Sequence, residues 1–228
     1  MADVILALDL PDQSSALSLL DRLPELEWVK IGSILMTAAG PGFVRELAGR
    51  GLKVFLDLKW HDIPNTVTGA VRAAAGIGAA MATVHTLGGP EMMRAASKAA
   101  PASLAVVGVT VLTSHDEAGW ATVLGRPSVR LLDETARLAR SAISSGLGGV
   151  VCSPLEIERV RSSVGPDPLI VVPGIRRPDD SAGDQGRTAT PAEAVRAGAT
   201  HLVVGRPILE ARDPSAALRE FQSGAKGA

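Results

Sequence analysis

A single (β/α)8 TIM barrel of the α/β class is the fold the sequence predicts. Three observations predict it. Short apolar runs recur about eight times along the 228 residues, and segments with helical spacing separate most of them. Hydrophobic residues make up 46% of the chain but aromatic ones only 3%, with no tyrosine, so the core has to be built from Val, Leu, Ile and Ala. Aliphatic runs of that kind suit parallel strands covered on both faces. No Gly/Ser/Pro-rich linker divides the chain, so residues 1–228 read as one domain. An open doubly wound sheet is the competing reading of the same alternation.

The elements follow in order. Residues 4–8 form the first strand, and residues 15–23 a helix with Leu17, Leu20 and Leu23 on one stripe. Residues 28–31 and 54–58 are the second and third strands, the latter followed by Pro64 and Asn65 at the turn into a helix. Strands are also predicted at 82–85, 104–111, 149–152, 169–172 and 201–204, most with β-branched residues. Residues 131–143 carry a helical stripe of Leu131, Leu132, Thr135, Leu138, Ala139 and Ile143. Thr190-Pro191, a cap with proline in the first turn, opens a helix over 192–199. Another helix is expected just after Gly205. The tail, about 222–228, reads as frayed.

Composition excludes several classes. Lys plus Arg total 23 and Asp plus Glu 24, a net charge of −1 that gives no reason to expect nucleic acid or an anionic membrane as partner. The longest apolar stretch, residues 73–84, contains two glycines and is too short to span a bilayer. Asp3 and Asp9 flank the first apolar run without a basic leader, which does not read as a signal peptide. The lone Cys152 cannot form an internal disulfide, and with four scattered histidines it builds no zinc-type motif. A reducing, cytoplasmic setting is the expectation.

The unusual segment is the end of the third strand, where Asp57, Lys59 and Asp62 fall within six residues. Positions two apart on a strand face the same way, so Asp57 and Lys59 share a face at the end where a barrel of this kind does its chemistry. A salt-bridged strand end followed by an Asp that starts a helix is the structural alternative. Charges leave water only when closely compensated, and a Lys between carboxylates stays protonated and poised to donate. Two further strand ends agree: Asp9 closes the first run and Lys30 the second. His85 closes the fourth, where a satisfied core or rim histidine is the stronger reading.

The late loops are suited to anions. Pro173-Gly174-Ile175-Arg176 follows the seventh run and Gly205-Arg206-Pro207 the eighth. Glycine admits close approach of backbone N–H groups, and arginine adds forked donors for phosphate oxygens. Phosphate sites in such barrels lie after strands seven and eight.

The segment Asp57-Leu58-Lys59-Trp60-His61-Asp62-Ile63-Pro64-Asn65-Thr66 resembles the signature of the orotidine 5′-phosphate decarboxylases. The similarity covers nearly the whole chain. It includes Leu8-Asp9, Val29-Lys30-Ile31-Gly32, Leu112-Thr113-Ser114, Pro173 to Arg176, Gly183-Asp184-Gln185 and Val204 to Ile208, in the order and approximate spacing of the short bacterial form. Trp60 replaces the usual Phe, and Leu35-Met36 stand where an aromatic is common; both concern packing.

The resemblance implies decarboxylation of orotidine 5′-monophosphate to UMP, without a cofactor or metal, in a homodimer whose active sites lie at the interface. Lys59 would protonate C6. Asp57 and the partner's Asp62 would hold its ammonium, with Ile63 and Thr66 also serving the neighbouring site. Lys30 and Asp9 would hold the ribose, and Thr113 the pyrimidine edge. Gln185 would bridge base and phosphate, and Pro173 would border that end. Gly205, Arg206 and Arg176 would grip the phosphate, and residues 177–188 would close over the ligand. Two rivals stand beside this reading. One is a magnesium-dependent sugar-phosphate decarboxylase or synthase of the same superfamily, against which Lys30 stands as a cation where a metal ligand is wanted. The other is a non-catalytic nucleotide-binding barrel, for which a proton donor among carboxylates has no use.

Overall fold

The computed structural model describes residues 1–178 and 187–227. Its strands are β1 (Asp3–Ala7), β2 (Trp28–Gly32), β3 (Lys53–Trp60), β4 (Ala79–His85), β5 (Ala105–Val109), β6 (Gly149–Val151), β7 (Leu169–Val172) and β8 (His201–Val204). Every neighbouring pair is parallel, and β8 returns to β1, so the sheet closes into a barrel in sequence order. The helices between and after them are α1 (Gln13–Leu20), α2 (Ser33–Gly49), α3 (Pro64–Gly76), α4 (Gly89–Ala99), α5 (Glu117–Leu124), α6 (Leu131–Ser144), α7 (Ile157–Val164), α8 (Pro191–Ala197), α9 (Arg206–Leu209) and α10 (Pro214–Ala225). The closed (β/α)8 barrel is the predicted fold, and closure excludes the open sheet.

Strand alternation sorts the core into two shells. Ile5, Ala7, Trp28, Phe55, Met81, Val107, Val171 and Val203 fill the barrel interior. The alternate residues, such as Leu6, Val29, Val54, Leu56, Ala82, Val106, Ile170 and Leu202, pack outward under the helices. At the N-terminal end Trp28 Nε1 donates to Asp3 Oδ2 at 3.2 Å and meets the His201 ring edge-on at 5.3 Å, closing the floor. Close packing forbids side chains in places. A Cβ at Gly149, where β6 begins, would lie 2.3 Å from the Leu169 carbonyl oxygen.

Several boundaries depart from expectation. The strand expected over 82–85 begins earlier, at Ala79, after α3 ends at Gly76 within the apolar stretch over 73–84. Between them Gly78 takes φ 85°, a left-handed conformation that glycine adopts without strain. The strand expected over 54–58 continues to Trp60, through an irregularity taken up below. The frayed tail is corrected. α10 continues through Ala225, which is buried, and whose carbonyl accepts the Ala2 amide at 2.9 Å. Phe221 and Ala225 sit four apart on the helix and anchor its buried face, which outweighs the weak helix propensity of Ser223 and Gly224.

Candidate active site

The period of the strands builds the site. Two residues beyond the interior layer, each strand emerges at the barrel's C-terminal mouth. From Ala7 this step reaches Asp9, from Trp28 Lys30, from Phe55 Asp57, from Val171 Pro173 and from Val203 Gly205. These five residues line one cavity of ≈ 760 Å³, floored by Ala7, Phe55, Val151 and Val203. Lys59, Thr113, Arg176 and Arg206 also line it. Four charges of alternating sign run along one wall. Lys30 Nζ lies 3.0 Å from Asp9 Oδ1 and 3.8 Å from Asp57 Oδ2, and Lys59 Nζ lies 2.8 Å from the same Asp57 oxygen. Lys30 is buried and the Asp57 side chain only 13% exposed, a depth at which unpaired charge is strongly disfavoured. Gly32 makes room for the line, because a Cβ there would come 2.9 Å from Lys30 Nζ.

Asp57 and Lys59 meet by a less regular route than simple alternation. Leu56 pairs with Ala82 and Trp60 with Val84, so β3 spends four residues where β4 spends two. Lys59 sits in this bulge at φ 52°, the one left-handed non-glycine among the described residues. Its amide cannot join the ladder and donates instead to Thr83 Oγ1 at 2.7 Å. The Thr83 hydroxyl in turn donates to Asp57 Oδ1 at 3.1 Å.

Strands β3 and β7 stand four apart in the closed order, on opposite sides of the mouth. Arg176, after β7, therefore lies across the cavity from Asp57 and Lys59, and Arg206, after β8, stands beside the strand that leads to Asp9. The helix after Gly205 is a single turn, so the arginines and backbone contribute more there than a macrodipole. The arrangement offers an anion clamp on one side and a compensated ammonium over an apolar floor on the other. It suits stabilising and protonating a carbanion on a ligand held by a distant anionic group.

Asp62, Ile63 and Thr66 lie outside this cavity. All three are exposed, and Asp62 Oδ1 accepts the Ile63 amide at 2.7 Å. Gln185 and most of residues 177–188 lie outside the described residues. His85 is half-buried; its Nδ1 accepts the Leu87 amide at 3.3 Å, and its ring stacks on His61 at 5.8 Å. Burial first, then the positive neighbours His61, Lys59 and His115, push it down to about 4. It is a neutral rim histidine. Cys152 backs the cavity wall, its thiol pushed up to about 12 by burial.

Sequence reasoning missed three residues. Thr83 carries no signal beyond its place on β4. Arg187 and Glu156 form a buried ion pair, and Arg187 Nη2 also donates to the Leu112 carbonyl at 3.2 Å. They thereby tie the loop after β6 to the wall that carries Thr113. Only the Ser153-to-Glu156 spacing, a capping box, hinted at Glu156.

Comparison with known proteins bears on the same residues. The model of the Orotidine 5′-phosphate decarboxylase / HUMPS family matches residues 2–221. The chain is 53% identical over 203 residues to the orotidine 5′-phosphate decarboxylase of Anaeromyxobacter sp. (strain K), covering 88% of each chain. It is 47% identical over 219 residues to the enzyme of that name from Nitrosospira multiformis, covering 94% of this chain and 90% of the relative. Among solved structures, the orotidine 5′-phosphate decarboxylase of Lactobacillus acidophilus superposes with a TM-score of 0.89 at 36% identity, over the full length of both chains.

Proposed function

The chain belongs to the Orotidine 5′-phosphate decarboxylase / HUMPS family, and from that premise we infer that it is a carboxy-lyase converting orotidine 5′-monophosphate to UMP and carbon dioxide, the final step of pyrimidine biosynthesis. One observation carries the choice within the family. The Lys30 ammonium lies between Asp9 and Asp57, at 3.0 and 3.8 Å, with Lys59 beside it. A magnesium-dependent member acting on a sugar phosphate needs metal ligands in that neighbourhood, and a second ammonium opposes a divalent cation there.

The chemistry follows from what the site offers. Heterolysis of the C6–carboxylate bond releases carbon dioxide and leaves the electron pair on C6. Lys59 Nζ, held by Asp57, stabilises that charge as it develops, then gives C6 a proton and becomes the neutral amine. Water restores the ammonium. Fixed charge aimed at the developing carbanion lowers the barrier without reorganisation at the moment of reaction. Lys30 and Asp9 hold the ribose, Thr113 the pyrimidine edge, and Arg176, Arg206 and the Gly205 backbone the phosphate, with Pro173 beside them and Gln185 bridging base and phosphate. Binding energy from the phosphate, remote from C6, is spent on closing the site and excluding water.

Asp62, Ile63 and Thr66 complete the site of a second copy in a homodimer, each copy lending its loop after β3 to the other. Their exposure, and Asp57 standing as the acidic partner of Lys59 among the described residues, support this sharing. A cytoplasmic setting accords with the lone, unpaired Cys152. No helix among the described residues is long and apolar enough to cross a membrane.

The test is incubation of chelator-treated protein with orotidine 5′-monophosphate, following the loss of its ultraviolet absorbance. Turnover that persists in chelator supports the assignment. Inertness toward this substrate, with strictly magnesium-dependent action on a sugar phosphate, moves the chain to the other branch of the family. Tight UMP binding without release of carbon dioxide would mark a sensor.

A further inference from the structure

We propose that Thr83 is a positioning residue for the reaction, its single hydroxyl fixing both the backbone that presents Lys59 and the carboxylate that holds its ammonium. The inference rests on the decarboxylase reading above, and it concerns a residue of β4 that touches neither phosphate nor base in that reading.

The bulge in β3 creates the need. An extended Lys59 would give its amide to a carbonyl of a neighbouring strand and reach Asp57's face by parity alone. At φ 52° it does neither. A left-handed L-residue is strained, and a buried amide turned out of the ladder needs another acceptor. Thr83 supplies it at 2.7 Å. A hydroxyl has one hydrogen, and with an incoming amide on its oxygen that hydrogen is directed to Asp57 Oδ1 at 3.1 Å. The other Asp57 oxygen is thereby left to the two ammoniums, Lys59 at 2.8 Å and Lys30 at 3.8 Å. Thr83 is fully buried, so water cannot stand in for it. Its χ1 is restricted by β-branching, which adds stiffness to the bridge. A Lys on a flexible four-carbon stem gains its aim from a fixed base and a fixed counter-ion, and one oxygen atom fixes both.

Thr83→Val keeps the volume and removes both hydrogen bonds, and Thr83→Ser keeps both with a smaller side chain. In Thr83→Val we expect kcat to fall about 10–100-fold with KM and UMP affinity within about threefold, because misplacement at the reacting centre, not ground-state binding, is what is lost. Thr83→Ser recovers kcat to within about threefold of the parent. Hydrogen exchange provides a readout independent of substrate: the Lys59 amide exchanges at least about tenfold faster in Thr83→Val and is protected again in Thr83→Ser. If Val disturbs folding, Thr83→Ala is read in its place, with UMP binding as the sign of an intact cavity. A kcat within twofold of the parent, an equal loss in Val and Ser, an unchanged Lys59 amide, or loss of UMP binding in both Val and Ala each overturns the proposal. A parent protein inert toward orotidine 5′-monophosphate defeats the decarboxylase reading instead, and the exchange measurement still decides whether Thr83 holds Lys59.

Discussion

Removing Arg187 offers the sharpest test of how the cavity wall is held. Glu156 is 1% exposed and accepts two bonds, one from the Ser153 amide at 2.9 Å and one from the Arg187 guanidinium. Arg187→Met leaves that carboxylate buried with the amide alone. Breaking a buried pair from one side destabilises by about 3–5 kcal/mol, and the surviving amide bond argues for the lower end, about 3 kcal/mol. A chain of 228 residues unfolds with an entropy of about 0.5 kcal/mol per kelvin, so the midpoint should drop about 6 °C. Glu156→Gln should lose less, about 1–2 kcal/mol, because the amide oxygen still accepts and the arginine still reaches water. The double variant should fall short of the summed losses by at least about 1.5 kcal/mol. The loop carrying Thr113 loosens with the Leu112 contact, and UMP affinity in Arg187→Met should weaken about tenfold, the equivalent of one charged hydrogen bond at the low end. Urea and thermal unfolding of the four proteins, with calorimetric UMP titration, measure all of this. Losses that add within about 0.5 kcal/mol, each below about 1 kcal/mol, would show that water already solvates the pair and would refute the reasoning.

Three further outcomes are expected. Lys59→Ala should abolish turnover with the fold retained, as circular dichroism reads it; substantial residual decarboxylation would remove Lys59 from the role of proton donor. Arg206→Ala should lower kcat/KM by roughly 2–4 kcal/mol, as for truncation of one partner of a buried charged contact; an unchanged value in steady-state assays would place the phosphate elsewhere. His85 gives the chain an acid-sensitive element. Its folded value of about 4 lies below the ordinary 6.5, so the folded state resists a proton that the unfolded chain accepts. The stability this provides is complete above about pH 6.5 and is lost as pH falls toward 4. The full shift corresponds to about 3 kcal/mol, and water reaching the half-buried ring should reduce it to about 1–2 kcal/mol. His85→Asn should therefore lose that much less stability than the parent between pH 7 and pH 4.5 in urea unfolding, and an identical acid loss would contradict it.

Which parts of the fold were legible depended on how locally each was encoded. β7 and β8 match the predicted 169–172 and 201–204 residue for residue, since each is a short apolar run between turn signals. Thr190 caps α8 as read, with Glu193 completing the box. The start of α3 was legible at Pro64 and Asn65, but its end was hidden because Ala73, Ala74 and Ala75 give no sharp stripe and run on toward β4. The tail misled because Gly and Ser signal fraying, while the burial that holds Ala225 depends on tertiary contact. In the site, Asp9, Lys30 and Asp57 were legible from strand parity alone. Lys59 reached its expected partner by a bulge that parity does not encode. Thr83 became visible only with that bulge, and Arg187 with Glu156 only when the loops after β5, β6 and β7 were brought together.

The charge line also explains why the two sides of the cavity must divide the work. Asp9, Lys30, Asp57 and Lys59 alternate in sign and sum to zero, so that wall has no net attraction for an anionic ligand. A neighbouring copy's Asp62 would turn the sum negative. A substrate carboxylate placed there meets Asp57 as readily as Lys59, and affinity has to come from elsewhere in the cavity, where Arg176 and Arg206 stand after β7 and β8. Such a division keeps the ammonium from settling into a ground-state ion pair with the substrate. Its field is then worth most once the carboxylate has left and the electron pair remains on carbon, which is where differential stabilisation raises a rate. Holding that ammonium against its attraction to the incoming carboxylate requires a rigid base, and the bulge tied to Thr83 provides one without adding a charge of its own.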